Sequence, residues 1–188
     1  MNGRPIIQRR SRIFLGCEGE SEQGYGAFLQ KLVDESGLSV HVLPVNLQPA
    51  GDPIKLAEKA VRAYAREKKN GGFAGKVILL DMDRMAELPN RGQRAIDLLM
   101  RERFCTIWQR PDHEGFLLRH FAGHDQDNPP RGRSMTALQT VWPGYHKNMS
   151  AADLKRTLSI AHVQRAAAVI SELRVLLKLI GLADGVIF

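Results

Sequence analysis

Apolar runs that stop abruptly at a charge set the rhythm of this chain. Ile13-Phe14-Leu15-Gly16-Cys17 reads as a β-strand ending at Glu18, and Val77-Ile78-Leu79-Leu80 as another ending at Asp81. Between them, Tyr25, Phe28, Leu29, Leu32 and Val33 recur at helical spacing, which predicts a helix over 21–36 that Gly37 closes. Val40, Val42 and Val45, with Leu43 and Leu47, predict a second strand. Pro53 opens a helix whose inward face is expected to carry Ile54, Ala57, Val61, Tyr64 and Ala65, and Asn70-Gly71-Gly72 breaks it. A polar helix near 90–103, a fourth strand over 104–109 and a helix over 111–121 follow, the last with Phe116, Leu117, Leu118 and Phe121 apolar.

This alternation predicts an α/β fold, a mostly parallel central sheet flanked by helices on both faces. Residues 125–145 change character, and Asn128-Pro129-Pro130-Arg131-Gly132-Arg133 reads as a turn-rich basic loop. Ser150, with Asp153 three residues on, predicts a helix start. A single last helix is expected over about 159–179, with Ile160, Val163, Ala167, Ile170 and Leu177 on one face. The organisation is then an α/β domain over 1–147 and a C-terminal helical extension over 148–188 packed on it, with no internal repeat.

At 188 residues the chain can bury a full core as one domain. Its 27 Lys and Arg against 20 Asp and Glu leave a net charge of +7, while the residues at the two strand ends are acidic. A basic surface around an acidic site suits a polyanion held by cations, although a merely cationic protein would show the same balance. Cys17 and Cys105 lie in apolar strands, where a thiol behaves as a small hydrophobe, so no disulfide framework is indicated. Arg4, Arg9, Arg10 and Arg12 lack the apolar stretch of a signal peptide, and no membrane span is expected, which points to the cytoplasm.

The candidate chemistry lies where the strands end. Parallel strands open their carboxyl ends on one edge, which would gather Glu18 and Glu22 with Asp81 and Asp83. Carboxylates that close repel unless protonated or bridged, and a hard divalent cation such as Mg²⁺ is the natural bridge. If strand geometry persisted through Asp81-Met82-Asp83, Met82 would point away and leave both carboxylates on one side. The plainer reading makes these acids helix caps or solvated loop charges. Other motifs fail: Gly24-Tyr25-Gly26 lacks the third glycine of a dinucleotide fingerprint, Gly75-Lys76 leads into a strand without Ser or Thr, and His113, His120 and His124 lack zinc-ligand order.

Strand-Glu18-Gly19 followed by strand-Asp81-x-Asp83 resembles the Toprim domain of topoisomerases, primases and OLD-type nucleases. The closer resemblance is to the RloB-like family of prokaryotic defence proteins. It rests on Cys17, Glu18, Gly19, Glu20 and Glu22, on Pro111, Glu114, Leu117, Leu118, His120 and Phe121, and on Tyr145 and Lys147, in matching order over roughly residues 12–147. Arg110, His113 and Phe116 depart from that pattern, which carries Asn, Phe and Trp there. The resemblance implies a Toprim-like fold and metal-dependent phosphodiester cleavage in defence against phage or foreign nucleic acid.

On this reading Glu18, Asp81 and Asp83 bind one or two Mg²⁺ or Mn²⁺, Glu22 and Glu114 complete or tune the shell, and Lys147 stabilises charge on the phosphate. Glu114 sits in an apolar pattern and should be aimed at something; a salt bridge with Arg103 or Arg119 is its structural alternative. His120 reads first as a hydrogen-bonded core residue. Arg131 and Arg133, with Lys147, are the candidates for nucleic-acid phosphate contacts, DNA or RNA. The rival is a metal- or nucleotide-dependent nucleic-acid-binding sensor that does not cut. A third reading adds a partner protein or a homodimer, docked through the apolar end Val186-Ile187-Phe188.

Overall fold

Side chains of β1 (Ser11–Cys17) alternate across the sheet: Ile13, Leu15 and Cys17 enter one apolar core and Phe14 the other. The computed structural model describes residues 10–49 and 52–183, so Arg4, Arg9 and Val186-Ile187-Phe188 lie outside the described residues. After β1 come α1 (Glu20–Glu35), β2 (Val40–Asn46), α2 (Pro53–Lys68) and β3 (Gly75–Asp81). Then follow α3 (Met82–Glu87), α4 (Pro89–Arg101), β4 (Cys105–Gln109) and α5 (His113–Leu118). The chain continues through α6 (Ser134–Val141), α7 (Ala151–Lys155), α8 (Ile160–Val169) and α9 (Ser171–Ile180).

Among the described residues the strands form one all-parallel sheet in the order β2-β1-β3-β4. The fold is therefore α/β, a parallel sheet covered on both faces, with a helical C-terminal region. Helices α1 and α5 to α9 supply one core, including Tyr25, Phe28, Phe116, Leu138, Leu154, Val163 and Leu176. Helices α2, α3 and α4 supply the other, with Leu56, Ala60, Met85 and Leu99. From β1 the chain moves outward to β2, then returns to lay β3 on the opposite side of β1. Strand order thus reverses between β1 and β3, the position at which open α/β sheets form a crevice beyond their carboxyl ends.

Several local expectations are corrected. In α2 the buried face is Leu56, Ala57, Ala60 and Ala63, Ala65 is exposed, and Ile54 is only partly buried. Ala57, Val61 and Tyr64 do face the core, as expected, and the small Ala60 and Ala63 between them let α2 pack close to the sheet. The last helix is two, α8 and α9, because Ile170 adopts an extended conformation. Arg174 donates to the carbonyl oxygens of Ala167 and Ala168 at 3.1 and 2.6 Å, satisfying groups that the break leaves open. Residues 128–133 form the turn-rich basic loop expected, α6 follows it at Ser134, and the helix expected over 111–121 is confined to α5. Gly24-Tyr25-Gly26 lies within α1 at a close approach: a Cβ on Gly26 would sit 2.9 Å from Leu15 Cδ2, and one on Gly24 would strike the Met149 carbonyl. No helix among the described residues is long and apolar enough to cross a membrane.

Candidate functional site

Glu18 leaves β1 one residue past its end, directly into the crevice between β1 and β3, and is buried. Its Oε2 accepts the backbone N–H of Asp81 at 3.1 Å, tying the ends of the two strands together. The other oxygen, Oε1, lies 2.5 Å from Arg84 Nε as a charge contact. No donor hydrogen among the described residues is aimed at it, so it stays buried without a directed hydrogen bond. Glu22, in the first turn of α1, is also buried; its Oε2 accepts the Gly19 N–H at 2.9 Å in a capping arrangement.

Gln109, the last residue of β4, stands beside Asp81 in the sheet register and is fully buried. With its amide nitrogen turned to the acids it donates to Asp81 Oδ1 at 2.9 Å and Glu22 Oε1 at 3.3 Å. Its oxygen then accepts from His113 Nδ1 at 2.6 Å. The opposite orientation would set the amide oxygen against two carboxylates, so the network fixes this one. His113 Nδ1 also lies 3.7 Å from Glu22 Oε1.

Electrostatics confirm crowding at this point. Loss of water around its carboxyl, then the charges of Glu18, Glu22, Asp83 and Asp112, push Asp81 up to about 10. Burial raises Glu18 as well, opposed by the Asp81 N–H and by Arg84 and reinforced by Glu22 and Asp83. The cleft above these acids, about 180 Å³, is also lined by Glu114, Lys147 and Asn148.

Glu114 projects from α5 and is buried. Its Oε1 accepts the Tyr145 hydroxyl at 3.2 Å and lies 4.0 Å from Lys147 Nζ. Neither Arg103 nor Arg119 is a recorded partner; Arg119 donates instead to the Asp127 carbonyl. Burial and the Glu114 carboxylate hold the Tyr145 phenol protonated. Ser21 Oγ accepts the Asn148 N–H at 3.1 Å, which pins the segment carrying Lys147 to the start of α1.

Asp83 stands apart from this group. The strand ends at Asp81 and α3 begins at Met82, so the alternation that would align both aspartates stops there. Asp83 donates its N–H to the Pro111 carbonyl at 3.0 Å, and its Oδ2 lies 3.6 Å from Arg131 Nε. Arg131 also pairs with Glu87, and exposed Arg133 precedes α6 outside the cleft. Thus Glu18, Glu22, Asp81, Glu114 and Lys147 meet in one cleft, while Asp83, Arg131 and Arg133 do not line it. Arg84 and Gln109 join the site unforeseen, and His113, which departs from the family pattern beside Glu114, lies in it as well. Gln109 was open to discovery by the rule that selected Glu18 and Asp81, since it too ends a strand.

His120 is a core residue. Its Nε2 lies 2.8 Å from the Tyr25 hydroxyl and its Nδ1 3.1 Å from the Phe116 carbonyl, and burial pushes it down to about 3. Surface His124 pairs with Asp127 at 2.7 Å.

Among the described residues no group of three His, Cys, Asp or Glu side chains is arranged to hold an ion unaided. The donor set therefore does not suit a closed protein cage. Carboxylate oxygens of Glu18 and Asp81 are of the kind Mg²⁺ takes, one or two at a time with several waters kept, and Arg84, 2.5 Å from Glu18 Oε1, would have to move aside for that oxygen to ligate. Compared with known proteins, the chain matches no family model, no curated protein and no solved structure.

Proposed function

We propose that this protein is a Mg²⁺- or Mn²⁺-dependent nuclease that cleaves nucleic-acid phosphodiesters, a Toprim-like, RloB-like protein acting in prokaryotic defence in the cytoplasm. One observation carries the reading: Glu18, Glu22 and Asp81 converge at the strand-order reversal, where burial first and the neighbouring carboxylates second push Asp81 up to about 10. A divalent cation there would offset two of these charges where a proton offsets one. When bound, it would supply charge neutralisation at the scissile phosphate and a nucleophile at neutral pH.

The chain's own groups have distinct tasks. Glu18 and Asp81 offer the carboxylate oxygens, and Gln109 keeps Asp81 and Glu22 facing the crevice. Lys147, exposed and held opposite by Glu114, can meet the charge that builds on a phosphate. Asp83 is better suited to setting the field and orienting Arg131 than to direct ligation. A second reading, a binding module that does not cut, draws on Arg84 beside Glu18, a guanidinium that already supplies positive charge there.

The test is cleavage of labelled single- and double-stranded DNA, structured RNA and transfer RNA with Mg²⁺ or Mn²⁺, beside an Asp81→Ala protein. Cleavage by the parent, reduced at least about a hundredfold in the variant, is expected. Equal rates for both proteins would remove the mechanism. Binding without cleavage under either ion would favour the second reading.

A further inference from the structure

A second concavity lies at the same carboxyl edge of the sheet. Its floor is the end of β2 and the residues after it, Val45 to Gln48, and its wall is the face of α2 carrying Lys59, Arg62 and Arg66. It encloses about 430 Å³, more than twice the acidic cleft, and contains three cationic side chains and no carboxylate. Gln48 lines both concavities, so the basic groove and the acidic cleft adjoin at that residue.

The cations are available. Lys59 donates to the Pro49 carbonyl, a neutral acceptor, and has no carboxylate partner among the groove-lining residues. Arg62 and Arg66 are 67% and 68% exposed, and their acidic neighbours Glu58 and Glu67 lie along the same helix outside the groove lining. Exposed ion pairs of this kind hold weakly and yield to a phosphate, which accepts two guanidinium hydrogen bonds at once. Arg131 faces two acids, Asp83 and Glu87, where Arg62 and Arg66 each face one. From Lys59 to Arg66 the helix rises about 10 Å, near three nucleotide steps of a B-form strand.

We infer that this groove binds the phosphodiester backbone of a nucleic-acid strand and leads it past Gln48 into the acidic cleft. The inference rests on the nuclease reading for the strand's destination, but the binding itself needs neither metal nor cleavage.

The experiment is fluorescence anisotropy of labelled single-stranded DNA, single-stranded RNA and duplex DNA in excess chelator, with salt titration. The proteins are the parent, Lys59→Gln/Arg62→Gln/Arg66→Gln, a charge-keeping Lys59→Arg/Arg62→Lys/Arg66→Lys, and a remote control, Lys31→Gln/Arg156→Gln/Lys178→Gln. For whichever strand the parent binds, the groove triple should weaken affinity at least about tenfold near 0.1 M salt and flatten the salt slope by about 2. The charge-keeping and remote variants should stay within about threefold of the parent. A groove triple that binds like the parent, a remote triple that falls equally far, or a parent that binds none of the strands would overturn the inference. Chelator removes cleavage from this readout, so failure here is distinct from failure of the nuclease reading, which is scored with Mg²⁺ present.

Discussion

His120 and Asp81 are treated in opposite ways by the same fold. Around His120 the protein has built a settled core: Tyr25 and Phe116 bond both ring nitrogens, with the Tyr25 and Phe116 rings 5.5 and 5.1 Å away. The result is an imidazole pushed down from 6.5 to about 3 and locked neutral. Around Asp81 the protein has collected carboxylates that Gln109, its amide turned toward the acids, Arg84 and two backbone N–H groups offset in part, and the buried acid is still pushed up from 3.8 to about 10. Both groups are perturbed by loss of water, so perturbation alone does not mark function. What separates them is that the histidine's needs are met within the fold, whereas the acids are met only by adding a proton or a cation.

The largest way to probe this contrast is Phe116→Ala, which empties the middle of the aromatic cluster. A loss of about 3–5 kcal/mol is expected in denaturant unfolding, the same with or without Mg²⁺. Tyr25→Phe comes next: it leaves His120 Nε2 buried without its partner and should cost about 1–3 kcal/mol, again insensitive to Mg²⁺.

Asp81→Asn should do the reverse and stabilise. In the parent, the folded chain keeps a proton on Asp81 that the unfolded chain releases above its ordinary value of 3.8. That contribution to stability is therefore complete at low pH and drains away as pH rises toward about 10. Asparagine carries no such slope. Scanning calorimetry in chelator should show the variant melting about 2–4 °C higher near pH 8, with the gap closing toward pH 4. Saturating Mg²⁺ should reverse the order, because only the parent gains binding energy. His120 tilts the other way: its contribution is complete above 6.5 and is lost as pH falls toward about 3.

Much of the fold and part of the site could be read from the chain. The four strands and the crevice were legible because each apolar run ends at a polar residue, and parallel strands bring those ends to one edge. Asp83 misled because nothing between Asp81 and Asp83 announces that a helix begins at once; the Pro111 carbonyl that receives the Asp83 N–H comes from a distant loop. The division at Ile170 was equally silent, since neither Gly nor Pro marks it and the Arg174 bonds that accommodate it are tertiary. Gln109 and Arg84 escaped because a search for ligands weighs carboxylates and passes over the neutral amide and the cation that hold them in place.

The central claim is that this acidic cluster is a divalent-cation site. Its most direct test is Mn²⁺ binding followed by electron paramagnetic resonance, without nucleic acid, for the parent and Asp81→Asn. The account predicts that the parent binds Mn²⁺, that Mg²⁺ competes it away, and that the variant loses most of this binding while remaining folded. Equal binding by both proteins, or none by the parent, would contradict it.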